Sequence, residues 1–361
     1  MKKSKKVRNL IIIISAVIAV ALISGFAIKG LTTDVKELSG DKAMLISDVD
    51  AIFAKKTTNL NAEELAAAYT RLDEGIADFS DTDIANILKD KGVSDYTKTT
   101  VLQLSQKVND GKGLQSSVEF LPLIKKGALA DDVRVNLINS IAVDSDEVKT
   151  ALAEIATTEE GAAVMRAMVR LQNADALASL NASNKILSNR KQYNADNLRA
   201  AVTVKSDYFK ELTMIDSKKD VGAEKTEYIS ACKEIYDSAD DEQLKNAVIF
   251  GLMNMRDFEA VKFLLEDDSV SEAHKVACIS RNPKTFVDKL KANPTEEEIE
   301  LIIGAMEKVP LKEVATAMRE ALQGTKYYNS RLDGLLQVME AGLSKADTSR
   351  FEGTPVSNWL E

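Results

Sequence analysis

An all-α chain, an α-solenoid of stacked antiparallel helix pairs after one N-terminal transmembrane helix, is the fold the sequence predicts. Three observations carry this expectation. Of 361 residues, 45% are hydrophobic, yet only 5% are aromatic and 5 are prolines. An uncharged run, "LIIIISAVIAVALISGFAI", extends from Leu10 to Ile28. Two hexapeptides, "EVKTAL" from Glu147 and "EVATAM" from Glu313, write one side-chain pattern twice. Recurrent alanine, leucine, lysine and glutamate favour helix, whereas a β-sandwich of this length needs period-two alternation and many more glycine and proline turns.

Residues 1–9 are a basic segment holding Lys2, Lys3, Lys5, Lys6 and Arg8, and 10–28 form the predicted anchor. At about 1.5 Å per residue, nineteen apolar residues nearly cross a hydrocarbon core of about 30 Å. The basic flank keeps the N-terminus in the cytoplasm by the positive-inside bias, so the rest of the chain lies outside. The competing reading is a cleaved signal peptide, with small Gly25 and Ala27 at the −3 and −1 positions of a cut after Ala27. The apolar run exceeds a usual signal core, which favours a retained single-pass anchor in the cell membrane over secretion.

After a linker over 29–40, residues 41–94 read as helical caps. "DKAMLISDVDAIFAKK" and "NAEELAAAYTRLDEGIADF" are amphipathic, and "SDTDIANILKDKG" opens on a capping Ser80 and stops at Gly92.

Residues 95–343 carry the repeat. Val148, Ala151, Leu152 and Ile155 fall at steps of 0, 3, 4 and 7, and Val314, Ala317, Met318 and Ala321 repeat those steps. Each stripe follows another apolar helix, "DDVRVNLINSIAV" or "TEEEIELIIGAMEKV", so each hexapeptide belongs to the second helix of a hairpin. In "DEQLKNAVIFGLMNMRDFEAVKFLLEDD", Leu244, Val248 and Leu252 mark a first helix, and Phe258, Val261 and Leu265 a second. Second-helix markers at Val118, Val148, Leu177, Val261, Val287 and Val314 give adjacent spacings of 30, 29, 26 and 27. Asn194 to Ala239 interrupts the series with a polar "DSKKD" loop. Paired helices at such a period bury their stripes only against neighbouring pairs, and the core grows as a line.

The 241–268 segment resembles a HEAT repeat of the short bacterial kind. The likeness rests on Ala247 and Leu252, on Asp257 at the turn, and on Glu259-Ala260-Val261 with Leu264-Leu265. It covers roughly residues 95 to 325, without the regular proline and arginine of the family's first helix. The resemblance implies a protein-binding scaffold, with bilin lyases and nucleic-acid binders a minority. Residues 344–361 break the pattern and contain the only tryptophan, Trp359. They read as a tail on the last repeat, or as a peptide with Trp359 as anchor for a partner.

Charge and motifs narrow the function. Six basic residues precede Gly30, and the remaining 41 face 56 acidic residues, a balance of −15. Such a body repels phosphate backbones, which argues against a nucleic-acid partner. The acidic clusters read as helix starts: Thr295 and Glu298 make a capping box, and Asp131, Asp132, Asp240 and Asp241 sit where a helix dipole favours negative charge. No phosphate-binding loop, nucleophile elbow or zinc motif is present, so the expectation is no catalytic residues, no cofactor and no metal. Cys232 shares a face with Ile229 and Tyr236 as core packing. Cys278 stands four residues after His274, the sole histidine, and a Cys232–Cys278 bridge stays open outside a cell. Asn181-Ala182-Ser183 is a formal glycosylation sequon. The resulting expectation is a membrane-anchored extracytoplasmic scaffold that binds another protein at the cell envelope. The alternatives are an enzyme using a solenoid cleft, like a lyase, and a structural adaptor of an envelope complex.

Overall fold

The structure, a computed structural model, describes residues 38, 40–55, 61–115, 117–215 and 221–343. Among them the chain is all-helical, with nineteen α-helices, three short 3-10 turns and no strand. The predicted anchor at 10–28, the "DSKKD" loop and the tail with Trp359 lie outside the described residues. No described helix is long and apolar enough to cross a membrane.

In chain order the helices are α1 (Gly40–Phe53), α2 (Ala62–Gly75), α3 (Asp81–Lys89), α4 (Asp95–Gln103), α5 (Val108–Gly111), α6 (Ser117–Phe120) and α7 (Asp131–Ser140). Then follow α8 (Asp146–Thr158), α9 (Ala162–Ala174), α10 (Ala176–Ser188), α11 (Ala195–Ile215), α12 (Gly222–Ser238) and α13 (Glu242–Asn254). The last six are α14 (Phe258–Glu266), α15 (Glu272–Arg281), α16 (Pro283–Lys291), α17 (Glu296–Lys308), α18 (Lys312–Leu322) and α19 (Ser330–Ala341). The chain divides into two compact units, one ending at Ser179 and one beginning at Leu180.

Local chemistry sets most helix starts. Thr295 and Glu298 form the predicted capping box on α17, and Ser80, predicted as a cap, forms a box with Asp83 on α3. Ser94, Ser145, Asp241, Ser271 and Asn329 each accept a backbone N–H from the first turn of their helix. Each such cap satisfies a donor that the helix itself leaves orphaned. Gly342 ends α19 in the left-handed conformation, φ 67°, that a residue with a Cβ adopts only at a cost.

In the first unit, α1 packs on α2 and α4, α4 on α3 and α7, and α9 on α7 and α8. One apolar cluster runs through it from Leu38 to Leu171. Val148 and Leu152 of the first hexapeptide are fully buried there, each such side chain contributing about 1.5–3 kcal/mol by leaving water.

In the second unit, α11 packs on α13, α13 on α15 and α15 on α17, while α14 packs on α16 and α16 on α18. Successive helices also touch, as α13 with α14 and α14 with α15. Val314 and Met318, the equivalents of Val148 and Leu152, are again fully buried.

Several sequence markers need correction. Val118 is 78% exposed and Leu177 66% exposed, so neither is a buried second-helix position. The stretch after α4 is no second helix, because Asn109 (φ 56°) and Asp110 (φ 55°) both turn left-handed ahead of Gly111. Side-chain amides and short polar groups tolerate that conformation, but it stops a right-handed helix. At Val287 and Leu265 the reading is one residue out of phase: Phe286 and Leu264 are the fully buried residues, and their neighbours are half-buried. From Asn194 to Ala239 the departure from a short repeat is one of length, since α11 has 21 residues and α12 has 17.

Candidate interaction surfaces

Four polar groups tie helices of the scaffold together. Asp50 on α1 is buried and accepts from Ser94 N at 3.0 Å, Ser94 Oγ at 2.6 Å and Thr97 Oγ1 at 2.6 Å. It thereby ties α1 to the start of α4. Arg134 on α7 is also buried; its Nε donates to the Ile124 carbonyl and its Nη2 pairs with Glu159 at 2.5 Å. Arg170 on α9 donates to the Ile141 carbonyl. In the second unit, the Tyr228 hydroxyl donates to the Val202 carbonyl at 2.9 Å. That approach requires a glycine at 251, where an added Cβ would lie 2.7 Å from the Tyr228 oxygen.

The two cysteines are free, buried thiols, so the bridge left open by the sequence is not formed. Burial pushes both up to about 12, and only for Cys232 does a Tyr228 hydrogen bond pull the other way. Neither offers a thiolate at neutral pH, the form that attacks carbon or binds metal. Cys232 packs with buried Ile229 and Tyr236, as its spacing predicts. His274 is half-buried; its Nδ1 lies 3.0 Å from Ser271 Oγ, and its ring meets Phe250 edge-on at 5.8 Å. Among the described residues, no group of three or more histidine, cysteine, aspartate or glutamate side chains is placed to hold a metal. Ser183 of the sequon is fully buried within α10 and donates to the Ala201 carbonyl, whereas Asn181 itself is exposed.

What remains is surface. On second helices of the predicted pairs, Glu259 of α14 and Asp288 of α16 are exposed, and Lys262 lies 3.9 Å from Glu266. In the first unit, Glu154 is exposed, whereas Lys149 is drawn towards Asp146 at 3.4 Å and Asp175 at 3.7 Å. The first helices carry apolar groups that sequence reading passed over: Phe250 of α13 is 43% exposed and Val276 of α15 is 38% exposed. Phe250 stands off the 244/248/252 stripe by half a helical turn, and that phase alone could have identified it. Compared with protein-family models, curated proteins and solved structures, the chain matches none.

Proposed function

We propose that this chain is a membrane-anchored scaffold, a HEAT-like solenoid held outside the cytoplasm by residues 10–28, that binds another protein at the cell envelope. The observation that carries the reading is the packing of helices one and two places apart along the second unit, α11–α13–α15–α17 and α14–α16–α18. Chains stacked in this way present one continuous face of second helices, and such faces commonly hold partners. The acidic balance favours a basic or neutral protein surface over nucleic acid. The reading assigns the chain no catalysis and no cofactor.

Two measurements test it. In intact cells, an external protease should remove a C-terminal tag while the protein stays in the alkali-washed membrane fraction. A protected tag, or release into the medium, overturns the anchoring. Photo-crosslinkers placed at Glu259 and Asp288 should then trap one defined protein, and Lys262→Glu should reduce the yield at least threefold. Equal labelling from crosslinkers placed on first helices overturns the use of that face.

A further inference from the structure

An ammonium held away from water is costly unless neighbouring charges and dipoles compensate it. Lys205 on α11 is compensated by an amide, a carboxylate and two aromatic faces. It is only 5% exposed, and its Nζ donates to the carboxamide oxygen of Asn184 on α10 at 2.9 Å. The Glu224 carboxylate of α12 stands 3.6 Å from the same nitrogen. The rings of Tyr208 and Phe209 lie 5.3 and 5.2 Å away and wall the amine in. Asn184 itself is exposed.

An amine, an amide carbon one bond beyond its hydrogen-bonded oxygen, and a carboxylate within reach of the amine are the parts of an acyl transfer. We propose that Lys205 and Asn184 join in an isopeptide bond, with Glu224 as the proton carrier. Lys205 passes one proton to Glu224, and the neutral Nζ attacks Asn184 Cγ. The Cγ–Nδ2 bond breaks as a second proton moves from Nζ to the departing nitrogen, which leaves as ammonia. The proton held by Glu224 follows it into solvent as ammonium. No electrons are exchanged and no co-reactant is consumed. Holding amine and amide in contact replaces a bimolecular encounter, which is where such reactions gain most of their rate. The faces of Tyr208 and Phe209 hold the ammonium in place by cation–π contact, so the nucleophile arises only when Glu224 takes its proton. Because Asn184 is an exposed residue, ammonia leaves directly to solvent. The product closes a covalent loop across α10 and α11 and limits how far the chain can open there.

The test is a mass measurement on the full-length protein, purified, denatured and digested with trypsin. The bond predicts one branched species in which residues 171–185 are joined to residues 200–210, lighter by one ammonia than the two together. Cleavage after Lys205 is lost in that species. Glu224→Gln, which keeps size and helix propensity, should abolish it, and so should Asn184→Ala. Circular dichroism confirms that each variant remains helical. Recovery of separate peptides 171–185 and 200–205 from the unmodified protein, with no joined species after prolonged storage, overturns the proposal. A joined species that persists undiminished in Glu224→Gln overturns the role given to that carboxylate.

Discussion

The stretch from α4 to α7 and the stretch from α13 to α18 solve the same packing problem by different means. In the second, regular helices bury apolar stripes on their neighbours, and caps such as Asp241 and Thr295 finish the helix starts. In the first, the chain between Leu104 and Ala130 is irregular, and polar side chains reach from helices to fix it. Arg134 bonds the Ile124 carbonyl, and Asp81 accepts from Asn109 Nδ2 at 3.0 Å and from Gln115 N at 3.1 Å. Regular pairs rely on non-directional burial, which tolerates exchange among side chains of similar volume. The irregular stretch depends on directional bonds, where losing one partner strands the other.

That contrast breaks most sharply at Arg134. Arg134→Ala leaves Glu159 and the Ile124 carbonyl without this partner, and the expected loss is about 3–5 kcal/mol in denaturant unfolding. A loss under about 1 kcal/mol would place the irregular segment on the same apolar footing as the regular pairs.

Within the regular part, Gly251→Ala should cost about 1–3 kcal/mol by overpacking, since its Cβ would lie 2.7 Å from the Tyr228 oxygen and 3.0 Å from Val202 Cγ1. Adding Tyr228→Phe should recover part of that loss, and the double-mutant cycle measures the share.

Thr295→Ala removes one side of the α17 capping box, with an expected loss of about 1 kcal/mol. The exposed pair of Lys308 and Glu272, at 2.9 Å, is the control. Lys308→Ala should change stability by no more than about 1 kcal/mol.

Acid gives the gentlest test. Desolvation pulls Asp83, Glu298 and Asp333 upward, but hydrogen bonds from Lys42 and Ser80, from Lys289 and Thr295, and from Tyr328, Arg319 and Gln337 hold all three below their ordinary values of 3.8, 4.5 and 3.8. A carboxylate depressed in the folded state adds stability that is full above its unfolded value and lost as pH falls through the folded one. The thermal midpoint should therefore stay level from neutral pH down to about 5 and fall progressively below about 4. A midpoint that rises in that range contradicts the assignment.

The same contrast explains what could be read in the sequence. Pairs at 131–158, 242–266 and 296–322 were legible because periodicity and capping are local properties. Val118 failed because the left-handed turn at Asn109 and Asp110 is fixed by Asp81, which lies 28 residues before Asn109. Phe286 and Leu264 each sit beside another apolar residue, Val287 or Leu265, and a 3.6-residue period cannot choose between adjacent apolar positions. The grouping of Asn184, Lys205 and Glu224 carries no local mark, since three separate helices supply it. Its chemistry exists only after folding.

Within each unit the helices lean on partners one or a few steps along the chain, and little depends on distant stretches meeting. Chains with such short-range contacts pay little entropy to begin folding and form quickly. Pulled from its ends, such a unit should come apart hairpin by hairpin rather than in one rupture, each detached layer leaving the next still seated. A pair could also be inserted or deleted without rewiring the remainder, so length is the property this architecture leaves freest to vary.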